Sequence, residues 1–272
     1  MFDSYRAEIS FKSIEQLSEK IEFFMKNNIL KINIPCKGNI KKDFLIEIVK
    51  YLGKNYPNLD IVYHYSFYHQ YIRNKNESYE YFLEFIDKCC SFNNKEILLV
   101  SGSKKRKGFD SISVLNELKY YFSSNIKFGV AFNPYFSLTN EIKEERDRLL
   151  EKLSSGLINS IWLQLGSDIN LLDNGILFLK KNIKNNSFNK EQDIKLYGSL
   201  FVPSKQSLAR FKFRPWKGVF FSDQYLNSVE KANSITREIL KVYQKYKIDL
   251  LIESECSSIQ QLENAKNKLK LI

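Results

Sequence analysis

The chain has 272 residues, 43% of them hydrophobic and 14% aromatic, and lysine and arginine exceed aspartate and glutamate by 42 − 31 = 11. This length and composition exclude a disordered tail or a small disulfide-stapled module, and they leave room for two ordinary domains or one barrel-sized one. The positive balance favours phosphates, polyglutamate tails or RNA in general, but it is mostly lysine in an asparagine- and isoleucine-rich chain, a mixture that AT-rich coding also produces.

No window approaches the eighteen or so unbroken apolar residues of a membrane span, and the opening "MFDSYRAEIS" has neither a basic n-region nor an apolar h-region. The expectation is a cytoplasmic protein without a membrane partner. Cys36, Cys89, Cys90 and Cys256 form no CxxC pair, so neither a zinc knuckle nor a disulfide framework is indicated.

Strand-like apolar runs alternate with runs of helical period from end to end. "YRAEISF" (5–11) precedes a helix in which Ser13 and Gln16 occupy capping-box positions and Ile14, Leu17, Ile21 and Phe24 share one face. Strand 29–35 precedes helix 40–53, strand 59–66 helix 76–90, and strand 95–101 helix 110–123. Strand 125–132 leads to helix 139–154, stopped by Gly156, and strand 158–165 to helix 169–183. Strand 193–201 leads to a helical stretch from Ser204, then an extra turn and a long helix; strand 247–254 leads to helix 257–270. Eight strand–helix units with strands too apolar for a wet face predict a parallel sheet covered by helices, and eight is the closing number of a (β/α)8 TIM barrel. The predicted organisation is a single barrel domain over 1–272. An open doubly wound sheet is the rival, but no glycine-rich turn follows the first strand.

In a barrel the chemistry sits at the C-terminal ends of the strands. Those ends supply Glu8, Cys36, His64, Ser66, Ser103, Asn133, Gln164, Ser204 and Glu253, a polar set without clustered metal ligands or a hydrolytic triad. The stretch "VSGSKKRKGFD" (100–110) places Ser103 and the basic run Lys104–Lys107 at the fourth strand's exit, where it reads as a solvated loop, a ligand-phosphate contact or, last, an RNA contact. Glu8 has two readings. Pointing into the barrel, it is poorly solvated, its pKa rises, and it serves as a general acid; pointing out, it pairs with a helix lysine.

The arrangement resembles the methylenetetrahydrofolate reductase family, a flavin-binding barrel, diffusely but in register from the first strand to the helix after the seventh. The residues that carry the resemblance are Glu8 in "AEISFKS", His64 and Ser66 in "YHYS", Phe132 in "FGVAFNP", and Glu145, Lys152, Gly156 and Gln164 in "EERDRLLEKLSSGLINSIWLQLGSD". The resemblance implies FAD as cofactor, NAD(P)H as electron donor and a methylene-folate substrate, in one-carbon and methionine metabolism. It implies Glu8 as general acid at the folate amine and Gln164 as a contact to folate or nicotinamide. It further implies that His64, Ser66, Phe132, Glu145 and Lys152 hold the flavin. The sequence departs from the family where Ser103 replaces an aspartate at the fourth strand's exit and where Gln206 replaces a substrate-stacking ring. Both are carried as substrate-site residues. Two alternatives stay open: a barrel of the same ancestry with an altered substrate or without tightly bound flavin, and a non-catalytic partner of a folate or methyl-transfer enzyme. Nucleic acid is disfavoured as a partner, and a homo-oligomer is admissible.

Overall fold

Eight parallel strands close in chain order, β1-β2-β3-β4-β5-β6-β7-β8, in a computed structural model. The structure describes residues 5–38, 40–92, 94, 96–102, 108–119, 126–185, 193–253 and 258–270. The strands are β1 (Tyr5–Glu8), β2 (Lys31–Ile34), β3 (Asp60–Ser66), β4 (Glu96–Val100), β5 (Lys127–Phe132), β6 (Ile158–Leu163), β7 (Lys195–Leu200) and β8 (Asp249–Ile252). Between and after them run α1 (Ile14–Lys26), α2 (Lys42–Asn55), α3 (Lys75–Ser91), α4 (Ser111–Leu118), α5 (Thr139–Leu153) and α6 (Ile169–Asn185). They are followed by α7 (Lys205–Phe213), α8 (Asp223–Asn227), α9 (Val229–Tyr246) and α10 (Ile259–Lys270). The expected (β/α)8 barrel is therefore the fold. Most strands are shorter than their apolar runs, because pairing ends before the hydrophobic pattern does.

Local chemistry explains where the helices start. Ser13 caps α1 by accepting from the Gln16 N–H, but the Gln16 side chain bonds the Lys12 N–H at 2.8 Å rather than that of Ser13, so the expected box closes one residue early. Full capping boxes open α4 at Asp110 and α7 at Ser204. After α5, Gly156 takes φ +75°, a left-handed conformation in which a Cβ is strained, and the helix stops there as its sequence predicts.

The chain packs as two compact units. One comprises Arg6–Ala131 and Glu151–Ser160, the other Met1–Tyr5, Phe132–Leu150 and Ile161–Ile272. In the first, the β2–β3 register pairs Asn33 with Val62 and the β3–β4 register pairs His64 with Leu98. Alternation along β3 sends Tyr63, Tyr65 and Phe67 to the helix side. There Tyr65 meets Phe82 and Phe85 of α3, with ring centroids at 4.6 and 5.1 Å, and Phe67 meets Phe109 at 5.1 Å. In the second unit Trp162 of β6 stacks on Tyr197 of β7 at 3.9 Å, and the Tyr243 hydroxyl of α9 donates to the Ser199 carbonyl at 3.2 Å.

Helix α9 comes so close to β7 that only a glycine fits between them: a Cβ on Gly198 would lie 2.4 Å from the Tyr243 ring. Tyr243 is fully buried and anchored by its hydroxyl, so it has no room to withdraw. Gly198→Ala is expected to lower stability by about 1–3 kcal/mol, the usual cost of overpacking, read as a shift in the urea midpoint at unchanged slope.

Candidate functional site at the ends of the first three strands

A polar layer lies on the face of β1–β3 opposite the aromatic rings. It begins with Arg6, a guanidinium 3% exposed in β1. Its Nε donates to Asn33 Oδ1 at 2.7 Å, Nη1 to Asp60 Oδ2 at 2.9 Å, and Nη2 to the carbonyls of Ile32 and Asp60 at 2.9 and 2.8 Å. A buried charge is tolerated only when it is paired and its donors are satisfied, and Arg6 meets that condition with acceptors from two neighbouring strands.

Arginine cannot accept a hydrogen bond, so the Asn33 atom facing it is the oxygen, and the Asn33 amide nitrogen faces His64 Nε2 at 3.0 Å. The amide donates, so Nε2 accepts and carries no proton. His64 is thereby set as the neutral tautomer with its proton on Nδ1. Its pKa falls from the ordinary 6.5 to about 3, first because burial penalises the imidazolium, then because Lys37 and Arg6 repel it.

Two residues along β1 from Arg6, on the same face, sits Glu8. Its side chain is 11% exposed and its carboxylate lies 3.2 Å from Lys37 Nζ in the β2–α2 connection. Burial raises its pKa and Lys37 opposes the rise. Both sequence readings of Glu8 are thus partly realised: the carboxyl is inward and poorly solvated, and it has a lysine partner that comes from a loop rather than a helix. Lys37 also donates to Ser10 Oγ at 2.6 Å. Ser66 completes this face of β3, its hydroxyl 3.4 Å from the His69 N–H.

Of the residues expected to form the site, Glu8, His64 and Ser66 share this face. Phe132 does not. It is 2% exposed and stacks on Phe178 of α6 at 6.2 Å, because period-two alternation from Phe128 turns it toward the helices. Glu145 Oε1 accepts from the Asn133 N–H at 2.9 Å and closes the end of β5. Lys152, 6% exposed, donates to the Ala131 carbonyl at 3.2 Å. Gln164 folds its Oε1 back onto the Leu165 N–H at 2.9 Å, and two residues before it on β6 the large Trp162 stacks on Tyr197. Gln206 lies exposed in the first turn of α7, so it occupies no position from which a ring would stack over a strand end. Ser103 and the basic run Lys104–Lys107 lie outside the described residues. Sequence reasoning missed Arg6, Asn33 and Lys37. The first two carried a signal: each is a polar residue inside an apolar strand, in phase with Glu8 or with its β2 partner position.

These contacts bear on the implied cofactor. Of five residues assigned to flavin, Phe132, Glu145 and Lys152 are committed to helix packing, strand capping and a backbone carbonyl. The set does not fit a flavin cradle.

No family model and no curated protein matches the chain. Among solved structures it is similar to a mutant protein in complex with xylotriose, at 12% identity over 93% of this chain and 85% of that one, with a TM-score of 0.55. It is also similar to active domain 2 of a thermostable chitinase from Pyrococcus furiosus complexed with chito-oligosaccharides, at 12% identity over 93% and 84%, TM-score 0.51. An aldo-keto reductase from Klebsiella pneumoniae in complex with NADPH aligns at 9% identity over 99% and 85%, TM-score 0.48. At such identities the likeness is one of fold: the chain is a (β/α)8 barrel protein, and its chemistry has to be argued from its own residues.

A neutral His64 links stability to pH. Its folded pKa lies below its unfolded one, so its contribution is complete above about pH 6.5 and is lost as the pH falls toward about 3. One proton corresponds to a slope of about 1.4 kcal/mol per pH unit. Glu8, with a raised pKa, acts in the opposite direction, adding stability as the pH falls through its folded pKa. The difference between wild type and His64→Gln isolates the histidine: unfolding midpoints of the variant are expected to fall less steeply between pH 6.5 and 4.

Proposed function

We propose that this barrel is an enzyme, a reductase that resembles methylenetetrahydrofolate reductase in scaffold and in its proton donor but works without a tightly held flavin. The observation that carries the reading is the Glu8 carboxyl, only 11% exposed on the inner face of β1, with its pKa raised and a lysine in contact. A general acid is most effective when its pKa approaches the working pH, which an exposed glutamate does not achieve. The commitment of Phe132, Glu145 and Lys152 to the scaffold supports the flavin-free form over the flavin-dependent one.

In this reading Glu8 gives its proton to an amine nitrogen of methylene-tetrahydrofolate, the adjacent carbon–nitrogen bond breaks, and an iminium remains. A reduced nicotinamide supplies the hydride and its electron pair to the iminium carbon, forming methyl-tetrahydrofolate and oxidised nicotinamide. Glu8 then regains a proton from water. Lys37 couples binding to this step. An anionic group of the substrate that engages Lys37 removes the attraction that lowers the Glu8 pKa, and the carboxyl holds its proton more tightly once substrate is in place. His64 stays neutral and adds no charge to compete with the iminium.

The purified protein is expected to show no flavin bands between about 350 and 500 nm and to oxidise reduced nicotinamide only when methylene-tetrahydrofolate is added. Glu8→Gln should lower kcat by about 10²–10⁴-fold with the fold intact. Activity should fall as the pH rises through the Glu8 pKa, and Lys37→Met should move that limb to higher pH. Co-purifying flavin would contradict the flavin-free form, full activity of Glu8→Gln would remove Glu8 from catalysis, and the absence of any folate-dependent turnover would overturn the substrate.

A further inference from the structure

The segment from Leu208 to Phe221, "LARFKFRPWKGVFF", contains no carboxylate, and its one neutral hydrogen-bonding side chain is the indole of Trp216. Every residue is apolar, glycine, proline or cationic. The segment forms the end of α7 and the connection to α8, and Arg210, Lys212, Arg214 and Lys217 are all exposed along it. Phe213, between two of these cations, is 86% exposed; Trp216 and Phe220 are 38% and 41% exposed.

This is an ordered presentation. Phe211 is buried and packs edge-on to Trp216 at 4.7 Å, and Phe220 lies against Phe136 at 5.5 Å. The connection is strapped to its neighbours by Asn133 Nδ2 donating to the Gly218 carbonyl at 2.9 Å, the Ser167 N–H to the Phe220 carbonyl at 3.1 Å, and the Ser222 N–H to Ser167 Oγ at 2.7 Å. The rings that can pack inward do so, and Phe213 is held in water.

We propose that this surface docks the protein on an anionic lipid bilayer, with Phe213 and the outer edge of Trp216 entering the interface and Arg210, Lys212, Arg214 and Lys217 meeting the headgroups. Water gives an exposed phenylalanine nothing, whereas the headgroup–acyl boundary takes its ring while flanking cations stay at the charged surface. Single-stranded nucleic acid shares the need for positive charge. It gains affinity from ring faces laid flush as stacking platforms, and these rings stand edge-on to their neighbours while Phe213 projects from a helix end. Such docking is peripheral and departs from the expectation of no membrane partner, which rested on the lack of a spanning segment: no helix among the described residues is long and apolar enough to cross a membrane. The proposal is independent of the reaction assigned to Glu8.

Co-sedimentation with phosphatidylcholine vesicles, with and without about one-third phosphatidylserine, tests it directly. The full chain is expected to bind the anionic vesicles at least about ten-fold better than the neutral ones, and to be released as added salt shortens the screening length. Phe213→Ser, at a side chain that is 86% exposed, should weaken binding about ten-fold without changing the circular dichroism spectrum, and Lys212→Ser with Arg214→Ser should do the same. Failure to bind anionic vesicles, or equal binding by Phe213→Ser, would overturn the proposal. So would displacement from vesicles by oligouridylate, which would assign the surface to single-stranded nucleic acid instead.

Discussion

A single guanidinium organises the polar side of the first three strands. Arg6 is buried, cannot lose its charge and cannot accept a hydrogen bond, so its surroundings must supply acceptors. They come from Asn33, Ile32 and Asp60, which ties β1 to β2 and β3 through side chain and backbone together. The consequence travels outward along one hydrogen-bonded line. Asn33 must turn its oxygen to Arg6, it therefore turns its amide to His64, and His64 therefore keeps its proton on Nδ1. One fixed charge at the N-terminal end of the layer decides which ring nitrogen carries the proton in a group nearer the C-terminal end, while burial keeps that group neutral.

The same strands divide their labour by alternation. On β3, Tyr63 and Tyr65 carry the packing against α3, while His64 and Ser66 remain on the opposite face. Stability thus comes from rings that bury large areas, and the polar face is left free to hold a carboxyl whose proton affinity is set by burial on one side and a lysine on the other. Elsewhere, groups that a family resemblance would assign to a ligand serve the scaffold: Glu145 caps a strand end and Lys152 satisfies a backbone carbonyl. Titratable side chains near a strand end have two uses, and only their partners tell them apart.

The fold was legible in the sequence because it rests on repeated, local signals. Eight apolar runs each followed by a helical period, the cap at Ser13, the helical start at Ser204 and the stop at Gly156 all correspond to elements found in the structure. Boundaries were less legible, since an apolar run such as 5–11 continues into the loop beyond the four paired residues of β1. The site was half legible. Glu8 and His64 stood out as polar residues in apolar strands, whereas Phe132 was placed by position at a strand end when counting from Phe128 would have turned it toward α6. Arg6 and Asn33 obey the same two-residue period but lie before the last residues of their strands, where barrel chemistry is expected. Lys37 had no pattern to reveal it: a loop lysine declares its partner only when the chain is folded.

The ordering of charge, amide and ring is most directly tested by nitrogen-15 NMR of the His64 imidazole. The account predicts a protonated Nδ1, a bare Nε2, and shifts that stay constant from neutral pH down to about pH 4. A proton on Nε2 would show that Arg6 does not set the polarity of the line, and titration near the ordinary 6.5 would show that burial does not hold the ring neutral; either result would contradict the account.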